Sequence, residues 1–310
     1  MKFSVSRLDA LLVLMIVIWG SNYSVIKAAL GEIPPMGFNT LRLALAAVLF
    51  LIAIGVSGAR GEAARRVPLT RRDWMGLLVL AFVGQFVNQF LFVTGLSMTS
   101  VANSALIIGS APIFVALLSA ALGHEYIAPI RWAGAALSAI GLYSVVGHGA
   151  AVTRETMLGD ASILGAALCW AVATVGSRTL LTRHSPLIVT GYSIALGAVI
   201  HVPLGWRDLR GLEWASVSST SWMALVMSAT LALFVAYLIW FTAVQRLGNT
   251  RTSAYSNLTP VVAMIMAWIW IGERVTPVQM SGAAAILVGV ALTRLRWGGE
   301  PLPTQRVRVG

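Results

Sequence analysis

Charge is scarce in this sequence. Only 11% of its 310 residues are Asp, Glu, Lys or Arg, while 58% are hydrophobic, against roughly 25% charged residues in a soluble globular domain. Mean hydropathy is +0.83. A folded chain with so little polar surface is not kept in solution by water, so lipid must be the solvent for most of it. Lysine is almost absent, and neither Lys2 nor Lys27 follows a glycine and precedes Ser or Thr. That excludes a phosphate-binding loop and ATP hydrolysis by this chain. The single cysteine, Cys169, excludes an internal disulfide and argues against a Cys-ligated metal. His124, His148, His184 and His201 fall in four different segments with no ligand spacing, so no metal or other cofactor is expected. No Ser or Cys has a plausible His/Asp partnership, so an enzyme is not expected either. Acids are few, and none lies in the middle of an apolar run; Asp9, Asp73 and Asp160 occupy the ends. Proton coupling through a buried carboxylate therefore has no candidate. His201, beside Pro203, is the one titratable group inside an apolar run that suits neutral pH.

What the sequence has in abundance is apolar runs. Stretches of about 20 residues bounded by Gly, Pro or charge fall near 9–30, 35–56, 73–96, 101–122, 128–147, 158–180, 186–205, 220–246, 251–271 and 277–297. This predicts an all-α integral membrane protein with ten transmembrane helices. The first run is read as a retained helix, because Asn22, Tyr23 and Lys27 interrupt a cleavable signal pattern. The net charge of +11 raises nucleic acid as a partner, but the cations are spread over short loops and tails and form no single face. With the N-terminus in the cytoplasm, sixteen of the 22 cations lie inside and only Arg154, Arg207, Arg210 and Arg274 outside. The positive-inside rule then places both termini in the cytoplasm of a multi-pass membrane protein, with lipid and not nucleic acid as its partner.

The second half repeats the first. An offset of 148 pairs Trp74 with Trp222, Pro112 with Pro260, Glu125 with Glu273 and Gly141 with Gly289. An offset of 151 pairs Asp9 with Asp160, Trp19 with Trp170 and Pro35 with Pro186. The expected organisation is one five-helix repeat over 1–147, a second over 148–297 and a disordered cytoplasmic tail over 298–310. Five is odd, so the second repeat inserts upside down relative to the first, as in many secondary transporters.

The run Trp19-Gly20-Ser21-Asn22-Tyr23 with Lys27, then Pro34-Pro35, Arg42, Pro112 and Gly123-His124-Glu125, and their later counterparts Pro260 and Gly272-Glu273 together resemble the EamA family of the drug/metabolite transporter superfamily. The likeness covers about residues 8 to 297. It departs from internal symmetry where Ala171-Val172-Ala173 replaces the Gly-Ser-Asn triplet. The resemblance implies a 5+5 bundle in the inner membrane that exports small metabolites through a cavity formed mainly by the first four helices of each half.

The residues themselves point to the same interior. Pro112 and Pro260 each remove a backbone hydrogen bond inside an apolar run, which marks either a packed kink or a helix break at a substrate site, with a gating role. Gln85, Asn88 and Gln89 share a helical stripe, as do Trp19, Asn22 and Tyr23, and Ser256, Asn257 and Pro260. Such stripes either line a cavity or bond neighbouring helices. Where the first half carries amides, the second carries Tyr237 and Trp240, joined by Trp170, so one wall would hydrogen-bond and the other stack, or pack. Lys27 is expected to snorkel outward and meet Glu32. Arg42, seven residues past Pro35, costs roughly 2.5–3.5 kcal/mol to insert; it either attracts an anionic cargo or bonds the ends of neighbouring helices. Gly134, Ser138, Gly141, Gly282, Ala285 and Gly289 suit scaffold or dimer packing. The expected function is export of small molecules, foremost amino acids or related amphipathic compounds, by alternating access in a monomer or homodimer. Multidrug efflux is the alternative, ahead of a receptor, a scaffold or a membrane enzyme.

Overall fold

The computed structural model describes residues 7–59, 67–122, 133–134, 136–137, 140–141, 153–248, 252, 255–256 and 258–292. Among these, every regular element is helical. Seven helices are long and apolar enough to cross a membrane: α1 (Arg7–Ala29), α2 (Pro35–Gly58), α3 (Arg71–Met98), α4 (Val101–Leu118), α5 (Arg154–Leu181), α6 (Pro186–Arg210) and α7 (Ser219–Leu247). Two shorter apolar helices come after them, α8 (Thr259–Ile271) and α9 (Pro277–Leu292). Most of the run at 128–147, the whole tail from 298 to 310, and Asn257 lie outside the described residues.

Local chemistry sets the boundaries. The Thr70 hydroxyl accepts from the Asp73 amide while the Asp73 carboxylate accepts from the Thr70 amide, a reciprocal cap that opens α3. Ser218 opens α7 through the Ser221 amide. Gly248 (φ 82°) ends α7 and Gly272 (φ 71°) ends α8, positions where a side chain would be strained.

Acids from one half close helix ends of the other. The Glu273 carboxylate accepts from the amides of Val101 (3.0 Å) and Ala102 (2.9 Å) at the start of α4. Asp208 accepts from Met36 and Gly37 at the start of α2, and Glu32 from Ser218 at 2.7 Å. Negative charge is favoured there because the first helical amides lack partners and carry the positive end of the dipole. The bond from Ser218 holds the Glu32 carboxyl below the usual carboxylate range. Lys27 does the converse and corrects the sequence expectation. It does not pair with Glu32; its ammonium donates to the carbonyls of Leu96 (2.7 Å), Ser97 (3.2 Å) and Thr99 (2.8 Å). The three carbonyls at the end of α3 are a better partner for a buried cation than an exposed glutamate.

These contacts define two ends of the bundle. At one, Tyr255 donates to Asp9, and Asp73 pairs with Arg183 at 2.9 Å. At the other, the Lys27 cap adjoins Asp160, which accepts from Thr99 and Asn103. Residue 9 starts α1 at one end and residue 160 lies near the start of α5 at the other, so these equivalent helices run antiparallel. The same holds for α3, which begins beside Arg183, and α7, which begins beside Glu32.

Two features leave no signal in residue type. Ala81–Val87 inside α3 and Ser228–Val235 inside α7 are π-helical. Each closes with an i to i−5 bond, Asn88 to Val83 and Ala236 to Leu231, and the two bonds are 148 residues apart. The matching bulges each insert one residue into the turn and rotate the N-terminal part of the helix relative to the C-terminal part. Small residues permit the tight contacts: a Cβ on Gly205 would fall 2.1 Å from the Thr40 hydroxyl, which seats α2 on α6, and one on Gly141 would fall 2.8 Å from the Gly282 carbonyl. Gly141 and Gly282 thus contact one another within the chain, as the scaffold reading of these glycines expects.

Candidate functional site: a two-walled cavity between the halves

A cavity of about 110 Å³ opens among α1, α2, α3, α4, α5 and α7. Asn22, Arg42, Asn88 and Gln89 supply a polar lining, and Trp19, Trp170, Tyr237 and Trp240 an aromatic one that meets it where Gln89 bonds Tyr237. Tyr23, Pro112 and Ser256 also line it, together with Phe92, Ile108 and Thr259.

The polar side is a connected network around Arg42, which is 1% exposed. Its Nε donates to Asn39 Oδ1 at 2.9 Å and one Nη to Ser228 Oγ at 3.1 Å, while the other Nη donates to Gln89 Oε1. Gln89 passes the chain on, donating from Nε2 to the Tyr237 hydroxyl at 2.7 Å. On the far side, Asn39 Nδ2 lies 3.3 Å from His201 Nε2. His201 is fully buried, with its ring against Phe86 at 5.1 Å, one layer behind the cavity. The Arg42 guanidinium also stands 5.8 Å over the Phe38 ring. All of these partners are neutral, so the charge is solvated by dipoles and not cancelled. Asn88 donates to the Ala166 carbonyl at 2.7 Å. The Asn22 side chain, half-buried at the cavity, makes no hydrogen bond to another described residue.

The aromatic side is a cluster of four rings. Trp19 meets Trp170 edge-on at 5.7 Å and Trp240 at 5.4 Å, and Trp170 meets Tyr237 at 5.4 Å and Trp240 at 5.5 Å. The Trp19 indole donates to the Ala232 carbonyl, inside the second π-helical stretch. Trp240 is 1% exposed, and its indole N–H has no partner among the described residues.

Gln85 does not join the wall on which the α-helical stripe places it. It sits within the π-helical stretch, packed against Gly197 of α6. The stripe assumes 3.6 residues per turn, and the wider π turn takes Gln85 out of phase with Asn88 and Gln89. The prolines also sit differently from the mid-helix expectation. Pro112 is the second residue of the stretch Ala111–Ala121 and Pro260 the second of α8, where a missing N–H leaves no bond unmade. The discontinuity in α4 is at Ser110, whose amide and hydroxyl both reach the Ile107 carbonyl. Pro260 itself packs on Gly109. Sequence reading did not find Asn39, although its i−3 spacing from Arg42 is a helical-neighbour signal. Ser228, 186 residues away, carries no such signal.

The chain matches the model of the EamA-like transporter family twice, over residues 7–147 and 157–295. It is a member of that family. The EamA protein is therefore a multi-pass membrane protein of a transporter family, and its relatives carry transporter rather than enzyme names. It is 29% identical to a probable terminal-alkyne amino-acid exporter of Streptantibioticus cattleyicolor, with 93% of this chain and 94% of the relative covered. A probable amino-acid metabolite efflux pump of Salmonella typhimurium is 28% identical over 92% of this chain and 94% of its own. An uncharacterized transporter of Bacillus subtilis, YyaM, is 27% identical over 87% and 88%. A solved crystal structure, 21% identical, superposes with a TM-score of 0.66 over 93% of this chain and 97% of the other, and it shares the fold.

Proposed function

We propose that this EamA protein is a secondary exporter of small amphipathic metabolites, amino acids and related compounds foremost. One observation carries the reading: a cavity between the two halves is lined both by a hydrogen-bonding network around Arg42 and Gln89 and, adjoining it at Tyr237, by an indole cluster. A solute with a polar head and an apolar body matches both. The relatives named as amino-acid exporters support the same class.

The cation distribution supports a chain with both termini in the cytoplasm of the inner membrane. Transport would proceed by alternating access, with the helix breaks next to Pro112 and Pro260 as the moving elements. No acid among the described residues borders the cavity, so facilitated efflux or exchange is the expected energetics. A broader efflux role is the second reading, favoured by the four-ring cluster, which imposes stacking but little hydrogen-bond selectivity. Counterflow of radiolabelled amino acids in proteoliposomes tests the proposal. Saturable exchange of at least one is expected, and no flux across a broad metabolite panel would contradict it.

A further inference from the structure

Among the described residues, the cavity lining holds one fixed positive charge and no negative one. Arg42 borders it, and none of the lining residues is Asp or Glu. The acids of the bundle are engaged at its ends: Asp9 with Tyr255, Asp160 with Thr99 and Asn103, Glu273 at the start of α4. Of the five N–H donors of a guanidinium, three are held by Asn39, Ser228 and Gln89, which orient the group and leave its charge whole. An arginine costs several kcal/mol to keep in a bilayer without a counter-charge. Here nothing in the described protein supplies one.

We propose that the cargo supplies it: the cavity is selective for net-anionic solutes, carboxylates with an apolar or aromatic body whose amino group is absent or acylated. This rests on the transport reading above and departs from its first-named cargo: within the amphipathic metabolites it favours related compounds without a free ammonium over the amino acids themselves. A zwitterionic amino acid brings its carboxylate to Arg42 but also an ammonium. That ammonium must leave water in a chamber with neutral acceptors only and with a guanidinium of the same sign. An acylated nitrogen removes that penalty.

Four compounds with one phenyl body separate the charge states: phenylacetate, N-acetyl-L-phenylalanine, L-phenylalanine and phenethylamine. None absorbs where indoles are selectively excited, so the ligand-dependent change in indole emission of the full-length purified protein, taken relative to Trp170→Phe to isolate the cavity among its eleven tryptophans, reports binding. Proteoliposome counterflow then reports passage. Both anions are expected to bind at least tenfold more tightly than L-phenylalanine, with phenethylamine weakest. Arg42→Gln should collapse that ranking, and Arg42→Lys should retain part of it. The wild-type ranking alone decides the matter if the variants do not fold. L-phenylalanine or phenethylamine binding as tightly as the anions would overturn the inference while leaving transport standing. Anions that bind in the expected order but never cross would leave the inference standing and remove the transport reading. Absence of binding and flux for all four would remove both.

Discussion

Gln89 and Tyr237 stand 148 residues apart, the offset that relates the two halves, and they are hydrogen-bonded to each other at 2.7 Å. Trp19 and Trp170, equivalent by the second offset of 151, likewise meet, edge to face at 5.7 Å. Equivalent residues touch only close to the axis that relates their repeats. That axis therefore runs through the cavity, and symmetry broken in residue type, amide against phenol, gives one wall a different chemistry from the other. The matching π-helical stretches lie just before these residues in α3 and α7.

Removing the phenol oxygen separates hydrogen bonding from stacking. Tyr237→Phe keeps the ring against Trp170 but leaves the Gln89 amide without its acceptor, at a cost of about 1–3 kcal/mol for a buried polar group. Unfolding in mixed micelles should show that loss. In a double-mutant cycle, Gln89→Leu with Tyr237→Phe should recover about 0.6 kcal/mol of coupling. Strict additivity would mean the bond contributes nothing.

Lys27 is expected to be structural. Lys27→Met strands three carbonyls at the end of α3 and should destabilise the fold by about 1–3 kcal/mol, whereas Lys27→Arg should keep most of the stability. Unfolding midpoints of the two variants check this. Equal stability of Lys27→Met and the parent would contradict it.

Much of the architecture was legible because lipid imposes strong rules. Apolar length placed the helices, and the polar stripes through Asn22, Asn88 and Gln89 indicated which faces turn inward. Other parts leave no trace in residue type. A π turn is built from ordinary apolar residues, so the helical period does not show that Gln85, though buried, leaves the stripe of Asn88 and Gln89. Lys27 bonds to backbone carbonyls, which every residue possesses, and Arg42 reaches Ser228 on a distant helix. Long-range polar partners in a membrane bundle are set by the packing, and a single sequence does not encode their identity in any local period.

The cap on α7 carries a pH dependence. The Glu32 carboxyl is held below its ordinary range by the Ser218 amide, so its stabilising contribution is fully present above the ordinary carboxyl range. That contribution is lost as pH falls through the lowered value of the folded state. The residue is exposed, so the effect is small. Melting curves should show a component of acid sensitivity in the parent that Glu32→Gln lacks, the part due to other hydrogen-bonded carboxyls such as Asp73 remaining in both, and parallel curves for both would contradict the assignment.

The central claim is that cargo passes through the two-walled cavity, and trans-stimulated counterflow in proteoliposomes tests it most directly. The measurement compares the parent with Trp170→Ala, which opens the aromatic wall, and with Trp268→Ala, which alters a side chain 65% exposed on the outside of the bundle. All three proteins are first checked for monodispersity. The account predicts saturable exchange in the parent, little change for Trp268→Ala and at least a tenfold loss for Trp170→Ala. Equal exchange by all three proteins would contradict it.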